Sequence, residues 1–192
     1  MSVVFLNGSP RKDGYTVAVM KIMEEVVKKT REVMWLHAAE LEIHFCRACM
    51  GCRPDGECVL PEDDGHRSAR ILREADILVV GSPTYFGNVS GALKTLFDRC
   101  LTAFETISAN GLEMPAPLHR GGKAAIVTAC NIPSPHSRLP SQAAGAIAAM
   151  ETVLQAGGYS MAGSVVLDGA AGRGGIPEEV RLAARKTAAA LL

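Results

Sequence analysis

Val3-Val4-Phe5-Leu6-Asn7-Gly8-Ser9-Pro10-Arg11-Lys12-Asp13-Gly14-Tyr15-Thr16 is the stretch on which the reading of this chain turns. Its unbroken apolar run, Val3 to Leu6, suits a strand buried on both faces, as in a parallel sheet. From Thr16 to Lys29 the apolar residues Val19, Met20, Met23, Val26 and Val27 recur with a helical period. The loop between them leaves a strand and enters a helix, where backbone N–H groups are free and the helix dipole is positive. Ser9 and Thr16 add hydroxyl donors, and Arg11 can form a bidentate pair with phosphate. Together these parts make a site for a phosphate monoester. The plainer reading is an ordinary turn with surface Arg11 and Lys12. The spacing is neither Gly-x-Gly-x-x-Gly nor Gly-x-x-x-x-Gly-Lys-Ser/Thr, which counts against the usual dinucleotide and nucleoside-triphosphate loops.

Strands and helices then alternate. Val33 to Leu36 reads as a second strand, with Ile43 and Phe45 as a potential extension. Asp64 to Glu74 reads as a helix, and Ile77 to Val80 as a third strand ending at Gly81-Ser82-Pro83. Val89 to Leu101 carries one apolar stripe, and Ser108 to Gly122 has the composition of a long loop. Lys123 to Thr128 is expected as a strand, Ser141 to Ala156 as a helix and Ser164 to Leu167 as a strand. Pro177 suits the first turn of a last helix ending near Leu192. Such alternation implies right-handed βαβ units and a doubly wound α/β fold, with ligands at the carboxyl ends of the strands.

Composition bounds the rest. A chain of 192 residues favours one domain. It should bury roughly 70% of its unfolded surface, so it needs no disulfide or metal merely to fold. Lys plus Arg equals Asp plus Glu at 20 each. That balance provides no basic field for nucleic acid or an anionic membrane. No apolar run approaches the ~20 residues of a membrane span. Ser2 to Leu6 runs into a turn without a basic start or a small-residue cleavage site, so no signal peptide is expected and the expected compartment is the cytoplasm.

Two further segments carry chemistry. Pro83-Thr84-Tyr85-Phe86-Gly87-Asn88 puts two aromatics at a strand's carboxyl end, between a stiffening Pro and a permissive Gly. That suits a flat ring, or a turn with two core aromatics. Cys46-x2-Cys49-x2-Cys52-x5-Cys58 gathers four of the six cysteines. Four thiolates suit tetrahedral zinc or a cubane iron–sulfur cluster, and successive Cys-x2-Cys spacing favours the cluster. Cysteines kept as small apolar side chains are the third reading. Cys130 and Cys100 read as buried structural thiols, and Trp35 and Met34 as core. His44, His66, His119 and His136 show no triad or zinc spacing and read as surface or loop residues; His37 sits at a strand end with no signal.

Gly8-Ser9-Pro10-Arg11 through Gly14-Tyr15-Thr16 resembles the phosphate loop of the NADPH-dependent FMN reductase family. Ser82-Pro83-Thr84-Tyr85-Phe86-Gly87, running on to Gly91-Ala92-Leu93-Lys94 and Phe97-Asp98-Arg99, resembles its flavin-ring motif. The chain departs at Tyr15, where the family usually has Asn. The resemblance implies a flavodoxin-like fold with strand order 2-1-3-4-5 and helices on both faces. It also implies that Ser9, Pro10, Arg11, Lys12, Tyr15 and Thr16 hold the FMN phosphate, while Pro83, Thr84, Tyr85, Phe86, Gly87 and Asn88 line the flavin. The cysteine spacing resembles the iron–sulfur flavoprotein branch, implying Cys46, Cys49, Cys52 and Cys58 as ligands of a [4Fe–4S] cluster. An FMN-dependent oxidoreductase follows, with no catalytic side chain, because the flavin carries the chemistry. NAD(P)H or a ferredoxin-like protein would be the donor, and a small molecule or a protein the acceptor. A homodimer or homotetramer is implied. The rivals are a non-enzymatic electron carrier, which the zero net charge disfavours, and a zinc-binding redox sensor.

Overall fold

The computed structural model describes residues 2–52, 55–106 and 114–192. Among them, β1 (Ser2–Asn7), β2 (Val33–His37), β3 (Ala75–Pro83), β4 (Lys123–Ala129) and β5 (Ser160–Leu167) form one sheet. All pairings are parallel and the order is β2-β1-β3-β4-β5. The helices are α1 (Tyr15–Val27), α2 (Asp64–Arg73), α3 (Gly91–Arg99), α4 (Ala143–Ala156) and α5 (Glu178–Leu191). This is the flavodoxin-like arrangement that the sequence implied.

Alternate residues of each inner strand feed two cores. Val3, Phe5, Ile77, Val79, Ala125 and Val127 pack under α1 and α5. Val4, Leu6, Leu78, Val80, Ala124 and Ile126 pack under α2, α3 and α4. Both faces of β1 and β3 are therefore dry, which is why their sequences run apolar without alternation. The chain leaves β1 towards β2 but returns across β1 to β3. The carboxyl ends of β1 and β3 consequently diverge, opening the crevice in which such sheets bind ligands.

The differences from the sequence reading have local causes. Ile43 and Phe45 do not extend β2. The Glu42 and His44 N–H groups donate to Asp64 Oδ2 and Asp63 Oδ2, both at 2.9 Å, and not to a strand. Phe45 is exposed. Met34 is half-exposed rather than core, because it lies on edge strand β2. Pro177 precedes α5 as its N-cap instead of lying in the first turn. His66 and His119 are buried: His66 in the capping box of α2, His119 stacked on Tyr159. The loop expected at 108–122 lies partly outside the described residues.

A small polar knot joins the ends of β1 and β3. Gly8 N–H donates to Gly81 C=O at 2.7 Å. A Cβ on Gly8 would stand 2.7 Å from Leu93 Cβ, so only glycine fits this approach. The buried Ser90 hydroxyl donates to Gly8 C=O at 2.6 Å and accepts from Leu93 N–H at 3.2 Å, capping α3. Ser90 N–H donates to Ser82 Oγ at 2.9 Å. One serine thus caps a helix and ties both crevice loops together. Ser90→Ala removes a cap and strands a buried carbonyl, and should cost about 1–3 kcal/mol in denaturant unfolding. An unchanged midpoint would show that the knot is dispensable.

At the same end of β1 but towards β2, Asn7 pairs with His37. The fully buried Asn7 accepts from Ser9 N–H at 2.8 Å, and its amide nitrogen lies 3.2 Å from Ser9 C=O and 3.1 Å from His37 Nδ1. An amide nitrogen only donates, so His37 Nδ1 accepts and the ring is neutral. Burial, followed by Lys12 and Lys21, pushes the His37 pKa below its ordinary value of 6.5. The unfolded chain then binds the extra proton more readily. Stability should fall as pH drops through about 6.5 towards the lower native value, then level off. His37→Gln should flatten that part of a stability–pH profile; an identical slope in the variant would contradict the assignment.

Candidate functional site

Loops following β1, β3, β4 and β5 enclose one cleft of about 850 Å³. The β1 loop contributes Ser9, Pro10, Arg11, Tyr15 and Thr16, together with Asp13 and Gly14. Ser9 Oγ donates to Arg11 C=O at 3.1 Å and lies 3.2 Å from Arg11 N–H, which curls the loop. The α1 N-cap is Gly14, which brings no side-chain cap; among the described residues no side chain caps the helix end, and the first turn has no acid. The first N–H groups of α1 are left for another acceptor.

Two residues behave differently from the implied phosphate grip. Lys12 turns outward and pairs with Glu40 at 2.5 Å. Tyr15, where the family usually has Asn, packs against the core and donates its hydroxyl to Arg173 C=O in the β5–α5 loop. It therefore braces the cleft wall with its ring and spends its hydroxyl on the protein.

From the β3 loop, Pro83, Thr84 and Tyr85 reach this cleft. Thr84 N–H donates to Ala129 C=O at 2.9 Å and its hydroxyl meets Thr128 Oγ1 at 3.1 Å, fixing the loop to β4. Tyr85 and Asn88 exchange backbone hydrogen bonds at 2.9 Å, closing a turn. Gly87, at φ +71°, lies so tightly on Pro140 and Ser141 that a side chain would strike their backbone. Phe86 is fully exposed at the tip, with φ +48°. Phe86, Gly87 and Asn88 thus do not line the cleft that holds Arg11. Asn131 and Ala170 do line it. Ligand binding at the carboxyl ends of the strands brings the β4 loop here, whereas Ala170 of the β5 loop had no signal in the sequence and is placed only by the tertiary fold.

Cys46, Cys49, Cys52 and Cys58 line a second cavity of about 330 Å³, and none is in a disulfide. Burial, and the other three thiols beside it, push the Cys52 thiol up, despite a backbone hydrogen bond acting the other way. Among the described residues, no three His, Cys, Asp or Glu side chains close on a single metal ion. The loop reverses through left-handed Ala48 and Met50. Its far end is tethered: Arg73 Nη2 donates to Gly56 C=O at 3.1 Å, and His66 Nε2 donates to Cys58 C=O at 3.0 Å. His66 Nδ1 accepts from Asp63 N–H, which fixes the tautomer.

Asp63 organises the near end. Its carboxylate accepts from Gly65 N–H, His44 N–H and Arg99 Nη2. Burial raises its pKa, but the His44 hydrogen bonds and then Arg99 outweigh that and hold the carboxyl well below the usual range. A third cavity, of about 670 Å³, is lined by both Cys46 and Asn88 and so lies between the cysteine loop and the β3 loop. Cys130 and Cys100 are buried, as expected of structural thiols.

Comparison with known proteins agrees with this geometry. The chain is 39% identical over 99 residues to an iron–sulfur flavoprotein of Archaeoglobus fulgidus, covering 52% of this chain and 48% of that protein. It is 35% identical over 100 residues to an iron–sulfur flavoprotein of Methanocaldococcus jannaschii, covering 52% and 51%. The match therefore spans about half the length of these curated relatives. Among solved structures, an FMN-dependent NADH-azoreductase from Bacillus anthracis in complex with FMN superposes with a TM-score of 0.73 over 99% of this chain and 98% of its own. At 14% identity that likeness shows the fold alone. The model of the NADPH-dependent FMN reductase family matches residues 1–165, and the chain belongs to that family.

Proposed function

We propose that the protein is an FMN-dependent oxidoreductase carrying a [4Fe–4S] cluster beside the flavin. The observation that carries this reading is that one chain holds both the β1–β3 cleft and a four-thiol cavity, with a third cavity lined by Cys46 and by Asn88 of the β3 loop next to the thiols. The cleft volume is that of a pocket for a cofactor-sized molecule. Ser9, Arg11, Thr16 and the uncapped α1 N-terminus would hold the phosphate, since backbone amides and a guanidinium suit a dianion. Thr84 and Tyr85 would orient the ring. Tyr85 is half-exposed, so its face of the cleft stays open to a donor or acceptor. When bound, FMN supplies hydride acceptance and single-electron release. The four thiols line one cavity, and their Cys-x2-Cys-x2-Cys spacing supports a multi-iron group over a lone zinc ion.

NAD(P)H or a ferredoxin-like protein would be the donor, and a small molecule or a protein the acceptor. The exposed Phe86, with Leu139 beside the Gly87–Pro140 contact, offers an apolar surface for self-association into a dimer or tetramer. Anaerobically purified protein should show flavin bands plus a broad iron–sulfur shoulder that bleaches on reduction, with iron and sulfide near four each per chain, as the proposed cluster requires. It should turn over NAD(P)H with menadione or ferricyanide. Flavin bands without iron would leave an FMN reductase. Flavin and iron without turnover would favour an electron carrier, and zinc without flavin would sink the proposal.

A further inference from the structure

The cysteine cavity has a buried charge at its wall that neither the phosphate loop nor the thiols explain. Arg99 ends α3, and its side chain is 1% exposed; that of Asp63 is 5% exposed. Nη2 donates to Asp63 Oδ1 at 2.7 Å, and Nη1 donates to Cys58 Sγ. Nε is buried and has no hydrogen-bond partner among the described residues. Burying a guanidinium costs several kcal/mol, and a buried ion pair often does no better than an apolar pair of the same shape. Helix capping does not require this arrangement. Asp63 caps α2 through Gly65 N–H, and it pins the 42–44 segment through His44, without Arg99. What Arg99 alone provides is a fixed positive charge and an N–H donor on the sulfur of Cys58. The backbone of Cys58 is independently held by His66, so the sulfur and the guanidinium keep their relative positions.

We propose that Arg99 is a positioning residue that aims Cys58 into the cavity and sets the reduction potential of the group the four cysteines hold, with Asp63 opposing it. This inference rests on the cluster reading above. An added electron makes the thiolate-bound group more negative. A positive charge and an N–H···S bond favour that reduced form and raise the potential; a neighbouring carboxylate lowers it. The two residues should therefore act with opposite sign. A role confined to structural packing would not produce that pattern.

Wild type, Arg99→Gln and Asp63→Asn are purified anaerobically, reconstituted with iron and sulfide, and counted for iron. Each is then titrated with dithionite in the presence of mediators, following the EPR signal of the reduced cluster. Arg99→Gln should shift the midpoint negative and Asp63→Asn should shift it positive. Each shift should be about tenfold in the reduced-to-oxidised ratio at fixed potential, or ~59 mV for one electron. Asn is as good an N-cap as Asp, so Asp63→Asn keeps the test alive if Arg99→Gln does not fold by far-UV circular dichroism. Midpoints that stay at the wild-type value, or that move in the same direction, overturn the inference alone. A wild-type protein that takes up no iron overturns the cluster reading and this inference together.

Discussion

The hydrogen bond from Gly8 to Gly81, 2.7 Å long and sealed by the Ser90 hydroxyl, sets the distance between the two loops on which the site depends. Two strand ends can approach this closely only where side chains are absent. A Cβ on Gly8 would meet Leu93, and one on Gly81 would meet Met20 and Thr16. Once the loops are tied, the rest of the cleft follows. The chain must diverge beyond the knot, so Arg11 and the α1 N-terminus stand on one side and Thr84 and Tyr85 on the other. Tyr15 then closes the outer wall by bonding the β5–α5 loop. The knot is polar yet fully buried, and every member named here has a partner. Such networks specify geometry because a half-made version costs more than none.

A second constraint governs the cysteine loop. The described residues of the 42–58 segment contribute no strand to the sheet; the Glu42 and His44 N–H groups are satisfied instead at the N-terminus of α2, and the Gly56 C=O by Arg73. Asp63 serves as helix cap, loop anchor and counter-charge to Arg99. The loop is thus braced by the same helices that pack under β1 and β3. The four thiols line one cavity without a disulfide, and Cys46 also faces the β3 loop.

The fold was legible in the sequence because strands dry on both faces must be apolar without interruption, and β1, β3 and β4 are. Edges were less clear. β5 begins at Ser160, four residues before the expected start at Ser164, because Ser160, Met161 and Gly163 also pair with β4 across a register shift. Ile43 and Phe45 carry a strand-like alternation, but carboxylates at a helix end outbid the sheet for their neighbours' N–H groups. In the site, Ser9, Arg11 and Thr16 stand out in the sequence because a strand–loop–helix junction leaves backbone amides free for an anion. The pairing of Lys12 with Glu40 is visible only in the fold. The full exposure of Phe86 was not legible, because motif position cannot show which side of a turn faces solvent. Arg99 was quoted only as part of a motif. Its contacts, Asp63 and Cys58, lie 36 and 41 residues away in sequence.

If the loop from Ser9 to Thr16 grips a phosphate, as proposed above, the flavin is held chiefly by its tail. The most direct test compares the affinity of the flavin-free protein for FMN and for riboflavin, which differ only in that phosphate, by quenching of flavin fluorescence. Charge-assisted hydrogen bonds contribute about 1.5–3 kcal/mol each. FMN should therefore bind at least tenfold more tightly per such contact retained. Equal affinity for the two flavins would contradict the assignment of this loop.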